Sequence, residues 1–510
     1  MNYPRDYNAV SDFIDSHLQQ GRSEKTAFID TESSITYGEL CVNTHRVANL
    51  LSAYGLEAEM RVALLAHDSV MWPAIFWGSI RAGVIPAALN TLLGTEQYRY
   101  ILGDTRPRAL FVSAALLPLI EPILSDLPYL KHVFVLAGDA GKYLDFSAEL
   151  ASQSDQSETA NTCCDDVAFW LYSSGSTGMP KGVPHVHSSL METVTLFGKG
   201  VLGIKEDDVV FSAAKLFFAY GLGNAMSFPM AVGATTILWG TRPTPAAVFQ
   251  LLNQHQATIF FGVPTLYAAM LSYPDSGPAI SSSRLRLCVS AGEALPKDIG
   301  ERWKSLFSVD IIDGVGSTEL LHIFLSNRPG DVVYGSSGKA VPGYKLRLVN
   351  ESNEEVENDK IGELLVNASS AANGYWNQRQ KSRTTFEGEW TRTGDKYTRD
   401  SNGYYYYCGR TDDMFKVSGI WVSPFEVESA LISHQAVLEA AVVAFEDDQG
   451  LTKPKAFVVL QGGQSESGLY EELKQLVKDK IGKWKYPRSI EFVQDLPKTA
   501  TGKIQRFKLR

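Results

Sequence analysis

The densest chemistry in the chain lies in Tyr172-Ser173-Ser174-Gly175-Ser176-Thr177-Gly178-Met179-Pro180-Lys181-Gly182. Glycines let a backbone approach a ligand closely, and successive N–H groups form an anion-binding concavity. The hydroxyls add adaptable donors, and Lys181 adds a mobile positive charge. Together these groups suit a polyphosphate. No Gly-Lys-Ser/Thr triplet closes the loop, so it is not a Walker loop. Ser176 is followed by Thr177-Gly178, so it is not a Gly-x-Ser-x-Gly nucleophile elbow either.

Further along, Leu285 to Ala291 reads as a strand running into Gly292-Glu293-Ala294-Leu295-Pro296. A second strand, Val309 to Ile312, runs into the turn Asp313-Gly314-Val315-Gly316-Ser317-Thr318-Glu319. Strands ending in glycine-rich turns offer a ligand the carboxyl edge of a doubly wound sheet. Between Lys381 and Arg410 the chain is polar and reads as rich in turns, with Thr393-Gly394-Asp395 among them. His185-Val186-His187 is a weak metal signal and reads as packing or helix-start residues.

The loop resembles the phosphate-binding signature of the adenylate-forming enzymes: acyl-CoA synthetases, peptide-synthetase adenylation domains and firefly-type luciferases. The resemblance runs from Thr36-Tyr37-Gly38-Glu39-Leu40 to Gly502-Lys503, with the motifs in the family's order. Within that family the chain is most similar to the benzoate–CoA ligase group.

The resemblance implies ATP, Mg²⁺ and coenzyme A as cofactors and co-substrates. Ser173, Ser174, Gly175, Ser176, Thr177, Gly178 and Lys181 would hold the β,γ-phosphates. Gly292 and Glu293 would lie along the nucleotide, with Asp313, Gly314 and Val315 at adenine. Val315 stands where the family usually has a tyrosine, so adenine would rest on an aliphatic wall; Asp313 can accept from its amino group or serve as an ordinary turn aspartate. Thr318 would contact phosphate, Glu319 would bind Mg²⁺ and Asp395 would accept both ribose hydroxyls.

Cys408-Gly409-Arg410-Thr411-Asp412 resembles the family's hinge, with the boundary just after Arg410 and the pivot at Asp412. Gly419 matches a glycine of the pantetheine tunnel, and Lys503 would bridge the substrate carboxylate and the α-phosphate. Ala219, Tyr220, Phe228, Gly316, His322 and Ile323 match the acyl pocket of the benzoate ligases. The implied activity is an aryl carboxylate–CoA ligase of aromatic acid catabolism, for benzoate or a hydroxybenzoate. Another small acid, or another acyl acceptor, remains the alternative. An adenylation module would need a carrier domain, and none follows Arg510. A luciferase-like oxidase would share the motifs, while a noncatalytic sensor would be expected to lose Lys503 or Glu319.

The elements that must position these residues alternate along the chain. Thr36-Tyr37-Gly38-Glu39 has capping-box spacing, helical periodicity follows through Tyr54, and Gly55 sits where that helix should stop. Val62–Leu65, Val84–Pro86, Ala109–Val112 and His132–Leu136 read as strands, with a helix from Val70, which argues for parallel sheets covered by helices. After Asp412, Ser423-Pro424-Phe425-Glu426 reads as a capping box, Ala440–Phe445 and Lys455–Leu460 as strands, and Leu469 to Val477 as a helix. The expected fold is α/β: a large N-terminal domain (1–411) of parallel-rich sheets covered by helices, plus a small mobile α+β C-terminal domain (412–510).

At 510 residues the chain is too long for one core, and its 45% hydrophobic and 20% charged residues are those of an ordinary globular protein. A net charge of −10 argues against nucleic acid and anionic membrane as partners, so any ATP site must be locally positive on an acidic body. Five cysteines without zinc spacing fit a reducing cytoplasm, and adjacent Cys163-Cys164 reads as incidental. The first six residues have no apolar signal core, and Met71 to Leu89 is broken by Arg81 and two prolines. The expected partners are a small aromatic acid, ATP and CoA, with the protein a monomer or homodimer.

Overall fold

Thr36 Oγ1 accepts a hydrogen bond from the Glu39 amide, and the Glu39 carboxylate accepts one from the Thr36 amide, so the expected capping box opens helix Tyr37–Ala53. Gly55, at φ +71°, ends that helix region as its position predicted. The computed structural model describes residues 3–173, 179–273, 284–417, 420–447, 451–462, 466, 468–482, 485–498 and 504–510.

Two large sheets organise the first 340 residues. In the seven-stranded sheet, Leu144–Asp145, His132–Leu136, Ala109–Ser113, Arg61–Leu65, Ile85–Ala88 and Val167–Ser173 lie in parallel order, and Lys181–Val186 closes the edge antiparallel. In the nine-stranded sheet, Ile311–Gly316, Leu287–Ser290, Ile259–Gly262, Val209–Ser212, Thr235–Ile237 and Thr26–Ile29 are the parallel centre. Antiparallel strands flank it: Ile323–Ser326 and Lys339–Ala340 on one side, Ser34–Thr36 on the other. Parallel strands are covered on both faces, which is why Val62–Leu65 and Ala109–Val112 are apolar without alternation. One large core links the sheets and takes in Trp72, Phe76 and Trp77 of helix Met71–Arg81. Among the described residues no helix is long and apolar enough to cross a membrane.

Three local readings are corrected. The second glycine-rich segment is not a turn from Asp313: the strand starts at Ile311 and continues to Gly316, paired antiparallel with Ile323–Ser326. Its glycines permit the pairing, since a Cβ at Gly316 would lie 2.6 Å from the His322 carbonyl oxygen. Thr393-Gly394-Asp395 lies inside the ten-residue strand Trp390–Arg399 of a five-stranded sheet, where Gly394 supplies a φ of +71° that a side chain would resist. At Ser423 only half a capping box forms: Ser423 accepts from the Glu426 amide, but the Glu426 carboxylate pairs with Lys485 at 2.6 Å.

The last hundred residues carry their own core. Helices Pro424–Ile432 and Leu469–Ile481 pack on the sheet Val437–Glu446, Thr452–Leu460 and Ser489–Phe492. Leu469, Leu473 and Val477 are the buried face of the second helix, with Leu476 at its margin.

Candidate active site

The loop expected to hold polyphosphate links the antiparallel pair Val167–Ser173 and Lys181–Val186, whose register sets Ser173 opposite Lys181. Ser174, Gly175, Ser176, Thr177 and Gly178 lie outside the described residues, as do Gly419 and Lys503. With a strand's period of two, Lys181, Val183 and His185 share the buried face.

That face meets the segment after Ile311–Gly316. Three donors converge on Glu319 Oε1: the Tyr375 hydroxyl at 2.8 Å, Ser173 Oγ at 3.3 Å and Lys181 Nζ at 3.4 Å. The Lys181 ammonium also sits 4.2 Å from the Tyr375 ring centroid. Both charged side chains are largely buried, Lys181 at 10% exposure and Glu319 at 15%. Burial pushes the Glu319 carboxyl up, but the Lys181 charge and the donors around it outweigh that and leave it below the usual range. For Lys181 burial wins, and its pKa falls despite Glu319; Lys381 and Arg410 add to the fall. A carboxylate beside a hydroxyl is an oxygen donor set, which fits a hard divalent cation such as Mg²⁺.

His185 fixes the same segment from behind. Its Nε2 lies 2.8 Å from the Thr318 carbonyl, which can only accept, so Nε2 carries the proton. Burial lowers this imidazole to about 4, and it stacks on Phe169 at 5.3 Å. His187 begins helix His187–Thr193, and its Nδ1 accepts from the Ala9 amide at 3.2 Å.

Gly292 and Asp313 end or lie on neighbouring strands of the nine-stranded sheet, while Asp395 lies on the five-stranded one. Gly292 follows strand Leu287–Ser290 closely and has φ +93°. Asp313 is buried, burial pushes its carboxyl well above the usual range, and its Oδ1 has no partner among the described residues. An orphaned buried acceptor of this kind fits an amino donor such as the exocyclic amine of adenine. Gly314 and Val315 continue that strand, with Val315 half-buried. Asp395 pairs with Arg410 at 2.9 Å across neighbouring strands, and Arg410 also donates to the Thr393 carbonyl. Burial, and after it the Asp395 charge, push the Tyr397 phenol well above its ordinary value. Asp412 is exposed in a turn, and its carbonyl accepts from Arg510 at 3.3 Å.

Residues 219–230 are helical, with a widened turn over Gly223–Ser227, a feature frequent at functional sites. This helix begins at the buried Ala219 and brings Tyr220 and Phe228 to His322. The His322 ring is 4.4 Å from Phe228 edge-on, 5.4 Å from Phe197 and 5.8 Å from Tyr220. Its Nε2 faces two acceptors, Asn224 Oδ1 at 3.1 Å and the Tyr220 carbonyl at 3.3 Å, so Nε2 carries the proton and Nδ1 is a bare acceptor. Burial lowers this imidazole to about 3. Ile323 is buried against Gly314. Between Glu319 and His322, Leu321 adopts φ +68°, a left-handed turn uncommon for leucine.

Sequence reasoning missed Tyr375, the partner role of His185, Phe197 and Asn224. Nothing local marks them: Tyr375 is 56 residues from Glu319 and His185 is 133 from Thr318.

A family model described as AMP-binding enzyme matches residues 15–376, and one described as AMP-binding enzyme C-terminal domain matches residues 426–503. The chain is 55% identical over 508 residues to the 4-hydroxybenzoate–CoA/benzoate–CoA ligase of Rhodopseudomonas palustris, covering 99% of this chain and 94% of that one. It is 56% identical over 510 residues to the benzoate–CoA ligase of Thauera aromatica, covering 99% and 96%. The crystal structure of a benzoate CoA ligase from Burkholderia xenovorans LB400 superposes with a TM-score of 0.92 at 49% identity, over 99% of this chain and 100% of that one.

Proposed function

The chain belongs to the AMP-binding enzyme family, and from that premise we propose that it is an ATP-dependent aryl carboxylate–CoA ligase of the benzoate or hydroxybenzoate class. The observation that carries the reading is the run Glu319–Ile323. One end of it meets the Lys181 ammonium, and three residues on His322 sits in an aromatic cluster with Phe228, Phe197 and Tyr220. A reaction centre between those ends has phosphate chemistry on one side and an aromatic guest's surroundings on the other. The full-length identity to benzoate ligases supports the same substrate class.

In this reading a carboxylate oxygen attacks the α-phosphorus of ATP, and the bond to pyrophosphate breaks. The thiol of CoA then attacks the acyl carbon, the bond to AMP breaks, and the thiol proton is released. The first step joins two anions, so positioning and positive charge dominate. Lys181 and the loop Ser173 to Gly178 hold the leaving phosphates, Thr318 contacts phosphate, and Lys503 bridges the carboxylate and the α-phosphate. Glu319 would hold Mg²⁺, which when bound would spread the charge of the phosphates. Gly292 and Glu293 lie along the nucleotide, Asp313, Gly314 and Val315 take adenine, and Asp395, braced by Arg410, takes the ribose. Ala219, Tyr220, Phe228, Gly316, His322 and Ile323 surround the aryl ring.

For the second step residues 412–510 rotate about Asp412, withdraw Lys503 and bring Gly419 to the pantetheine. The enzyme acts in the cytoplasm as a monomer or homodimer, without nucleic-acid or membrane partners. The test is pyrophosphate release across a panel of carboxylic acids, with and without CoA. Aryl acids of benzoate size should far outpace octanoate, and thioester should form only with CoA. A preference for long-chain acids would overturn the substrate class.

A further inference from the structure

Tyr375 touches both charges of the Glu319–Lys181 pair at once. Its hydroxyl donates to Glu319 Oε1 at 2.8 Å, while its ring face lies 4.2 Å from Lys181 Nζ. The two charged groups themselves stand 3.4 Å apart, longer than the roughly 2.7–2.9 Å of a tight charge-assisted hydrogen bond. The phenol takes the short contact on the carboxylate, and the ring holds the ammonium to one side. Neither charge is then spent wholly on the other.

The segment that carries Tyr375 is tied to both partners' backbones. The Ala372 amide donates to the Glu319 carbonyl at 2.8 Å, and the Trp376 amide donates to the Gly182 carbonyl at 2.9 Å. Tyr375 lies between these two bonds, next to the residue after Lys181 on one side and to Glu319 itself on the other. Its own amide donates to Ser382 Oγ at 2.9 Å, and its ring meets Phe386 edge-on at 5.3 Å. Val183 and Ala372 complete a small core around it.

We infer that Tyr375 is a positioning residue that holds the Glu319 carboxylate and the Lys181 ammonium apart and separately aimed, the first for a divalent cation and the second for the leaving phosphates. The inference rests on the adenylation reading above. Its two contacts are separable by substitution, because phenylalanine keeps the ring and loses the hydroxyl, whereas leucine loses both.

The test compares wild type, Tyr375→Phe and Tyr375→Leu, each checked for folding by thermal unfolding. Mn²⁺ binding in the presence of α,β-methylene-ATP is read by electron paramagnetic resonance, and binding of that analogue without metal by calorimetry. Tyr375→Phe should weaken Mn²⁺ by about tenfold, the scale of losing an outer-shell partner of a metal ligand, with metal-free analogue binding unchanged. Tyr375→Leu should weaken both. Adenylation kcat should fall in each, while conversion of supplied benzoyl-AMP and CoA to thioester should not. Unchanged Mn²⁺ binding and kcat in folded Tyr375→Phe would overturn the inference. Failure of the wild type to adenylate any aryl acid, with Mn²⁺ binding still sensitive to Tyr375→Phe, would instead overturn the functional reading and leave the positioning role standing.

Discussion

His185 Nε2 donates to the carbonyl oxygen of Thr318 across 2.8 Å, from the strand whose first residue, Lys181, reaches the carboxylate of Glu319. One buried strand face thus grips two consecutive residues of the site, the first by its backbone and the second by its side chain. His185→Leu leaves a buried carbonyl without its donor and should cost about 1–3 kcal/mol of stability. His185→Gln, which keeps an N–H, should recover part of the loss. Because burial holds the imidazole near 4, the pH profile of adenylation above pH 6 should be the same in wild type and His185→Gln. Urea unfolding and a pyrophosphate-release profile check both expectations.

The Lys181–Glu319 pair should behave as a coupled unit. Removing one member strands the other as a buried charge, at a cost of roughly 3–5 kcal/mol, whereas removing both spares that penalty. Lys181→Met and Glu319→Gln should each lower the unfolding midpoint more than the double variant does. Every one of these variants should lose about 10²-fold or more in acyl-AMP formation. Additive destabilisation in the double variant would contradict the coupling.

Much of this architecture is written locally. The capping box at Thr36 and Glu39, the apolar strands of the parallel sheets and the helix face at Leu469, Leu473 and Val477 each follow from a short-range pattern. The candidate site is legible where motif residues meet in the fold, as Ser173, Lys181 and Glu319 do. It is not legible where a residue acts across the fold: His185 reaches Thr318 from a strand of the other large sheet, and Tyr375 reaches Glu319 from an irregular segment tied to both. Glycine misled in the opposite direction. Gly314, Gly316 and Gly394 look like turn residues, yet they lie inside strands. At Gly316 there is no room for a side chain beside the neighbouring strand, and at Gly394 the backbone is left-handed.

The hinge reading acquires a second handle at the chain's end. Arg510 donates to Asp413 Oδ1 at 2.6 Å and to the Asp412 carbonyl at 3.3 Å, and Arg506 pairs with Glu428 at 2.7 Å and Asp413 at 3.5 Å. Asp412→Pro fixes φ and should preserve adenylation while thioester formation drops. Lys503→Ala should do the reverse, losing about 10²-fold in acyl-AMP formation and sparing thioester formation from supplied acyl-AMP. Single-turnover assays of each half-reaction separate the two. Equal effects on both halves in either folded variant would remove the corresponding role.

The acyl cluster has a built-in steric test. A Cβ at Gly223 would lie 2.3 Å from His322 Cδ2 and 3.1 Å from Phe228 Cζ. Gly223→Ala should therefore overpack the cluster and depress activity on benzoate, through a strain of about 1–3 kcal/mol. Adding His322→Ala removes the ring that clashes, so the double variant should regain stability relative to Gly223→Ala alone. His322→Ala or Ile323→Ala by itself should admit larger or para-substituted rings. Competition between benzoate and 4-ethylbenzoate, followed as relative kcat/KM, reads this out.

The pH dependence of stability follows from buried groups of opposite sign. His17, His185 and His187 are each lowered to about 4 by burial, and His322 to about 3. A histidine with a depressed folded pKa contributes stability above its unfolded value, near 6.5, and loses it as pH falls toward the folded value. Near pH 5 these histidines are neutral in the fold and protonated in the unfolded chain, so unfolding takes up their protons. Asp68, pushed up to about 6 by burial, and Asp313, pushed well above its usual range, act in the other direction. Their contribution is present at low pH and lost as pH rises through the folded value, so near pH 5 they release protons on unfolding. Among these six groups the histidines outnumber the aspartates, so their combined uptake makes stability fall as pH drops through 5. His17→Gln should reduce the uptake by about one proton, and Asp68→Asn should raise it by about one. Urea unfolding at half-unit steps from pH 4.5 to 6.5 measures the slope directly. A slope that is unchanged in both variants would show that these groups do not set the acid limit.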